Sequence, residues 1–140
     1  MLRRVIPDVV ENQDLLTIAG TESVLTAARQ MAERKVRSIL VVDRGSLMGV
    51  FTGTDMIGRV VAAGLSPQKT AVATVMTPDP TTITPETLAI EALRLMQEGG
   101  YRHLPVVEDG GRLVGIVSRK DFWRDEEAEI EQEKQLWERL

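Results

Sequence analysis

The segment Gly115–Phe122, which reads GIVSRKDF, decides the fold because the chain contains a close counterpart, GVFTGTDM at Gly49–Met56. In both segments, a short apolar run typical of a buried strand leads directly into a hydroxyl residue, and a carboxylate follows three residues later. The recurrence of this pattern indicates an internal repeat.

The repeat extends well beyond these two segments. An offset of 65 residues aligns Met31 with Met96, together with apolar, basic and glycine positions around them. One extra residue enters the second copy at Gly110–Gly111, after which an offset of 66 residues aligns Asp55 with Asp121. The chain is therefore two copies of one unit of about sixty residues, and a unit of that size buries little of its surface when alone.

Each copy has the pattern of a strand, a helix, two strands and a second helix. The copies open on the short stretches Leu15–Ile18 and Thr81–Thr84. In the second copy, Thr84 is a candidate N-cap and Pro85 suits the first helical position, so we expect a helix from there to Gly99–Gly100. Two β-rich runs joined by Asp, Gly and Ser then predict a hairpin in each copy. The pattern predicts an α/β (α+β) fold.

The composition narrows the class of protein. The chain has 140 residues and a formal net charge of −4, and its acidic residues concentrate at Asp125–Glu133. Such a chain lacks the basic face that sequence-independent nucleic-acid binding requires. It has no cysteine for disulfides or a thiolate nucleophile, and no apolar run that approaches the length of a membrane span. We expect a soluble, cytoplasmic protein whose partners include no nucleic acid and no membrane.

His103 is the only histidine of the chain. No neighbouring residues are evident that would complete a nucleophilic set or a transition-metal site with it. We therefore expect a ligand contact or a packing role for His103, and we predict no enzymatic activity, no catalytic residues and no metal site.

The spacing from hydroxyl to carboxylate at Thr52–Asp55 and Ser118–Asp121 has two interpretations. A Thr or Ser N-cap with an acid three residues later forms a capping box, which satisfies free N–H groups at a helix start. A helix start at the end of a strand also attracts anions, and a carboxylate there can accept hydrogen bonds from ribose hydroxyls. Arg119 and Lys120 favour a phosphate ligand in the second copy, because a cap does not require cations; simple solvent exposure is the alternative explanation.

The repeat order, the two junction segments and the linker phrase VMTPDPTTI at Val75–Ile83 together resemble a tandem pair of CBS domains, the cystathionine β-synthase-type or Bateman module. The resemblance covers roughly residues 9–124. It implies two pseudo-symmetric repeats packed sheet to sheet, with clefts between them. It also implies an adenosine-containing ligand, such as AMP, ADP, ATP or S-adenosylmethionine, and pairing into a homodimer.

This resemblance sets the expected domains and function. We expect a first repeat with its N-terminal segment over residues 1–66, a linker and second repeat over 67–124, and an acidic helical extension over 125–140. The expected function is regulatory: the module senses an adenosine-containing ligand, needs no obligatory cofactor, and signals through a dimer or an effector protein. The alternative is a dimerisation scaffold with vestigial nucleotide sites.

The resemblance also implies a set of ligand-binding residues. They comprise ribose-binding acids, neighbouring hydroxyl and basic residues, residues of the opening strands and residues of the middle strands. The acids are Asp55 and Asp121, the junction neighbours are Thr52, Ser118, Arg119 and Lys120, the opening-strand residues are Thr17, Ile18, Thr82 and Ile83, and the middle-strand residues are Arg37, Ser38, Arg102, His103, Leu104 and Pro105. The first copy carries Gly53 and Thr54 in place of the two cations, so its site lacks local charge for a phosphate.

The segment Phe122–Leu140 contains no Gly or Pro and is rich in Glu, Gln, Lys and Leu, so it predicts a helical extension. Trp123, Ile130 and Trp137 recur at seven-residue spacing and form a narrow apolar stripe. The stripe either contacts another subunit or partner, the interpretation we favour, or folds back on the surface of its own chain.

Overall fold

The computed structural model describes residues 2–122 and 124–139. The first repeat shows the whole predicted order, and its second helix begins as one α-helical turn and continues with π-helical hydrogen bonding. Its elements are β1 (Thr17–Ala19), α1 (Val24–Arg34), β2 (Ser38–Asp43), β3 (Ser46–Thr52) and α2 (Gly53–Asp55, continued by Met56–Val61).

A linker of one helical turn and one short strand follows, α3 (Val72–Val75) and β4 (Thr77–Pro78). The strands β1 to β4 form one sheet in that order; β1 runs parallel to β2, and the other neighbours are antiparallel. The predicted hairpin of the first copy is confirmed by the pairing of β2 with β3. One compact unit consists of Leu15–Pro80 together with the short segment Gly110–Leu113. It has its own hydrophobic core, in which Phe51 and Val41 are fully buried.

The second repeat contains α4 (Ala89–Gly99), β5 (His103–Val107) and β6 (Leu113–Ser118), and the chain ends in α5 (Arg124–Glu138). The strands β5 and β6 form a two-stranded sheet. The opening stretch of this repeat is reduced to one parallel bridge between Ile83 and Val106. Helices mixed with a four-stranded and a two-stranded sheet confirm the predicted α+β fold class.

The predicted start of α4 is wrong. The helix begins at Ala89, because Leu88 is extended and forms an antiparallel bridge with Arg4 of the N-terminal segment. Val5 N–H donates to the Thr87 carbonyl at 2.8 Å, and the Ala89 N–H donates to the Arg3 carbonyl at 2.7 Å. The predicted end is confirmed, because the C-cap Gly100 has a left-handed conformation (φ 72°).

The N-terminal segment up to Asp14 belongs to the unit that contains the second repeat, which also includes Thr81–Asp109 and the chain from Val114 onward. Val5 is fully buried in the core of this unit. The side-chain amide of Gln13 forms two hydrogen bonds of 2.9 Å with the backbone N–H and carbonyl of Ile116 in β6. The Gln13 side chain thus forms hydrogen bonds with the backbone of β6, as the backbone of β4 does with β3. The residue ranges of the two repeats along the chain stay a prediction.

The helical extension restarts after Phe122, whose backbone is extended (φ −92°, ψ 150°), and it packs back on its own unit. Ile130 is 2% exposed, and Arg94 forms bonds of 2.9 and 2.8 Å with the Glu133 carboxylate. The fold-back interpretation is therefore correct for Ile130. Trp137 is 74% exposed, so an intersubunit or partner contact there stays a prediction. Trp123 and Leu140 lie outside the described residues.

Within residues 2–122 and 124–139, none of the helices combines the length and the apolar character needed to cross a membrane.

Gly49 and Gly58 provide a matched test of how tightly the linker packs on β3. A Cβ at Gly49 would lie 2.6 Å from Met76 Sδ and 2.7 Å from the Thr77 carbonyl oxygen, whereas a Cβ at Gly58 in α2 would meet nothing within 4 Å. We expect Gly49→Ala to lower the free energy of unfolding by about 1–3 kcal/mol. Gly58→Ala, the control, should raise it by about 0.5–1 kcal/mol. Urea titrations measure both, and equal stability of the two variants would contradict close packing at Gly49.

Candidate ligand-binding site

The junction of the second repeat places the carboxylate of Asp121 at the end of β6. Asp121 Oδ2 accepts hydrogen bonds from the Ser118 N–H at 2.7 Å and from the Ser118 hydroxyl at 3.0 Å. Within the part of the chain that the structure describes, no hydrogen bond reaches Asp121 Oδ1. The side chain is half-buried, so one oxygen of a well-positioned carboxylate remains available as an acceptor.

The helix start predicted at this junction is wrong. Arg119–Asp121 form a single 3₁₀ turn, and the chain then becomes extended at Phe122, which packs into the core of the unit. A single turn carries no helix macrodipole of consequence, so attraction of a phosphate here depends on side-chain charge. Arg119 and Lys120 supply that charge, and both are exposed.

The junction of the first repeat contains the same acid in a different environment. Asp55 is 7% exposed, and its carboxylate accepts the Thr52 N–H at 3.1 Å. The Asp55 N–H donates to Thr52 Oγ1 at 3.1 Å, which confirms a reciprocal capping box. The Thr77 hydroxyl donates to both carboxylate oxygens at 3.1 and 3.3 Å, and the Arg59 guanidinium lies 3.6 Å away. The charge of Asp55 is therefore satisfied by its own unit.

The same backbone hydrogen bond joins the middle strand to the junction in both units. The Arg119 N–H donates to the Arg102 carbonyl at 3.4 Å, and the Gly53 N–H donates to the Arg37 carbonyl at 3.0 Å. Each unit thus brings its predicted middle-strand arginine to its own junction. The side chains of Arg37 and Arg102 are exposed.

The imidazole of His103 lies within the electrostatic field of the second junction. Its pKa is lowered below 6.5, first because the ring is partly removed from water and further because Lys120 and Arg102 disfavour a positive charge. The carboxylate of Asp121 acts in the opposite direction and favours the imidazolium. Part of the residue remains accessible to solvent.

The opening stretch of each repeat places one isoleucine in the core of its own unit. Ile18 and Ile83 are 5% and 6% exposed, and each belongs to the core of its own unit. Pro105 is buried, and its carbonyl accepts the Ile83 N–H at 3.0 Å. Thr17 is half-buried, whereas Thr82 is exposed.

Two depressions in the unit of the second repeat lie away from Ser118–Asp121. The larger, about 750 Å³, lies between α4 and α5, and the smaller, about 460 Å³, is lined by Thr82, Ile83 and residues of α4. Neither is lined by Asp121. Among the residues that the structure describes, no group of three or more His, Asp or Glu side chains is placed to hold a metal ion.

The family model of the CBS domain matches the chain twice, at residues 5–62 and 72–122. The chain therefore belongs to the CBS domain family, and its two repeats form a CBS domain pair, which is a regulatory module. Both the predicted duplication and the resemblance to this family are confirmed.

Named relatives agree with this assignment. The chain is 47% identical over 96 residues to the CBS domain-containing protein CBSCBSPB2 of Arabidopsis thaliana, a match that covers 68% of this chain and 18% of that protein. Across three such Arabidopsis relatives, the match spans only 17–21% of their length.

Solved structures of the same family are also similar to this chain. One is CBSX2 in complex with AMP, with a TM-score of 0.69 and 29% identity over 79% of this chain and 85% of that one. Another is a hexameric CBS-CP12 protein from bloom-forming cyanobacteria, with a TM-score of 0.65 and 31% identity over 79% of this chain and 61% of that one.

Sequence reasoning missed Thr77 and Arg59 as partners of Asp55. Thr77 lies in the linker phrase that supports the family resemblance, but its contact with Asp55 spans 22 residues and depends on how β4 pairs with β3. The available signal was the presence of a hydroxyl residue in that linker phrase. Arg59 follows Asp55 by four residues, the spacing at which helical side chains meet.

The pKa of His103 tests the geometry of the second junction without a ligand. Asp121→Asn removes the charge that favours the imidazolium, so the pKa of His103 should fall further below 6.5. Because the chain has one histidine, NMR titration of its imidazole C–H signals follows a single residue. Asp109→Asn, at an exposed turn, is the control and should leave that pKa unchanged. A pKa that does not fall in Asp121→Asn would contradict a close approach of the two side chains.

Proposed function

We propose that this protein is a regulatory module that binds an adenosine-containing ligand of the AMP, ADP or ATP class at the Ser118–Asp121 junction. One observation carries the proposal: Asp121 is held by Ser118 through one oxygen only, next to two exposed cations. Ribose hydroxyls donate to a free carboxylate oxygen, and phosphates attract Arg119 and Lys120.

The remaining predicted residues have supporting roles in this proposal. Thr82 and the backbone at Ile83 and Pro105 face the base, and Arg102 and His103 border the phosphate end. S-Adenosylmethionine offers the same ribose hydroxyls but carries a net positive charge, which Arg119 and Lys120 disfavour, so phosphate-bearing ligands are favoured. The complex of CBSX2 with AMP supports a nucleotide as the ligand. The conspicuous groups of the junction are binding groups, which supports regulation without catalysis.

Signalling through a homodimer or an effector protein is part of the proposal. The hexameric relative supports self-association as a property of similar chains. The second candidate function is a dimerisation scaffold with vestigial nucleotide sites. The internal satisfaction of Asp55 favours it for the first repeat, because a buried acid with its own donors has a purely structural explanation.

The affinity for AMP tests the role of Asp121. We expect Asp121→Ala to weaken AMP binding by about 5- to 150-fold, because ribose hydroxyls lose a charged acceptor at a cost of about 1–3 kcal/mol. Isothermal titration calorimetry measures the affinity, and Asp109→Ala serves as a control that removes an exposed carboxylate from the same unit. Unchanged affinity in Asp121→Ala would assign the acid a capping role alone.

The basic residues are tested by comparing ATP with adenosine. Replacing both Arg119 and Lys120 by Ala should weaken ATP binding by about tenfold or more, and adenosine binding much less, since adenosine carries no phosphate. Equal losses for the two ligands would contradict the phosphate role. If AMP, ADP, ATP and S-adenosylmethionine all leave the melting temperature of the wild-type protein unchanged, the scaffold function becomes the better account.

A further inference from the structure

The Thr77 hydroxyl occupies the position on Asp55 that a ligand hydroxyl would need. It lies 3.1 Å from Asp55 Oδ1 and 3.3 Å from Oδ2, so a single O–H group is shared between both carboxylate oxygens. With the Thr52 N–H and Arg59 beside it, the 8%-exposed carboxylate of Asp55 has protein donors around both oxygens. A ligand must displace one of these donors before it can bind.

The segment that carries Thr77 is held firmly in place. Thr77 and Pro78 pair with β3 at Val50 and Gly49. From α2, Arg59 Nη1 donates to the Met76 carbonyl at 2.9 Å, immediately before Thr77. A donor fixed in this way loses little freedom when it forms its hydrogen bond, so it competes well with a ligand hydroxyl that must be ordered on binding.

The second unit has no equivalent donor among its described residues. The offset of 65 residues that relates the two repeats aligns Asn12 with Thr77 in sequence. Asn12 has a left-handed backbone (φ 51°), and the next residue, Gln13, pairs through its side chain with Ile116. The hydrogen bonds that reach Asp121 come from Ser118 alone within residues 2–122 and 124–139.

We propose that Thr77 acts as an internal substitute for a ligand hydroxyl and closes the first of the two candidate sites. This inference rests on the proposed function, because it assumes that a free junction carboxylate binds ribose hydroxyls. Thr77 is then the residue that determines specificity between the repeats: the chain binds one adenosine-containing ligand, at Asp121. Removal of the hydroxyl makes Asp55 available as a second site.

A pair of substitutions that differ by one oxygen atom isolates this effect. Thr77→Ala removes the hydroxyl, whereas Thr77→Ser keeps it and removes only the methyl group. Adenosine is the probe, because it carries the ribose hydroxyls and does not need the phosphate charge that Gly53 and Thr54 lack. Calorimetry should give one equivalent per chain for the wild type and for Thr77→Ser. Thr77→Ala should bind two equivalents.

Further variants guard against indirect effects. Thr74→Ala removes a linker hydroxyl that donates to the Ala71 carbonyl at 2.7 Å, and this variant should bind one equivalent. Thr77→Val keeps the volume of the side chain and replaces Thr77→Ala if that variant does not fold, as judged by circular dichroism. The double variant Thr77→Ala with Asp55→Asn should return to one equivalent, because the new acceptor has lost its charge.

The outcomes separate this inference from the proposed function. One equivalent in folded Thr77→Ala, or two equivalents in the wild type, would overturn the role of Thr77 and leave binding at Asp121 intact. No binding by the wild type, up to millimolar adenosine or AMP, would overturn the proposed function. In that event, one equivalent gained by Thr77→Ala would still support the closure of Asp55, and none gained would overturn it.

Discussion

One hydrogen bond defines both halves of this molecule: the backbone N–H of the last strand residue donates to the carboxylate three residues later. It measures 3.1 Å between Thr52 and Asp55 and 2.7 Å between Ser118 and Asp121. The bond turns the chain sharply at the end of each hairpin and fixes the carboxylate beside the middle strand, where a second bond, from Gly53 to Arg37 or from Arg119 to Arg102, anchors the turn. The local geometry of each candidate site depends on this constraint.

The two halves differ in the other groups that contact the carboxylate. In the first half, the linker and α2 supply Thr77 and Arg59, and the acid becomes part of a buried polar network. In the second half, the acid keeps an open oxygen and stands beside exposed cations. The two copies of the motif therefore share the hydrogen bond from the backbone N–H to the carboxylate, while their neighbours give the carboxylate a different environment. Similar sequence at two junctions does not imply equal capacity to bind a ligand.

The features that the sequence predicted are those encoded within short segments. The repeat, the hairpin of β2 and β3, the end of α4 at Gly100 and the helical character of α5 follow from residue type and spacing over a few positions. Two further features depend on contacts between distant segments and could not be predicted. The start of α4 moved to Ala89 because the N-terminal segment pairs with the chain before it, and Thr77 was missed as a partner of Asp55 because it comes from the linker. Residue patterns do not reveal such pairings, and the pairings influence where an element begins or ends, as local propensity does.

The pairing of Gln13 with Ile116 has a consequence for how this chain is made and folded. The two residues are 103 positions apart, and the unit they belong to is built from both ends of the chain, whereas the other unit is nearly continuous from Leu15 to Pro80. During synthesis, the continuous unit can acquire most of its core while the N-terminal segment, including the apolar Val5, still has no partner. Closure of a loop of this length is slow relative to local folding. One folding unit is thus inserted in sequence between two segments of the other, and we expect the unit that contains the second repeat to complete its core last.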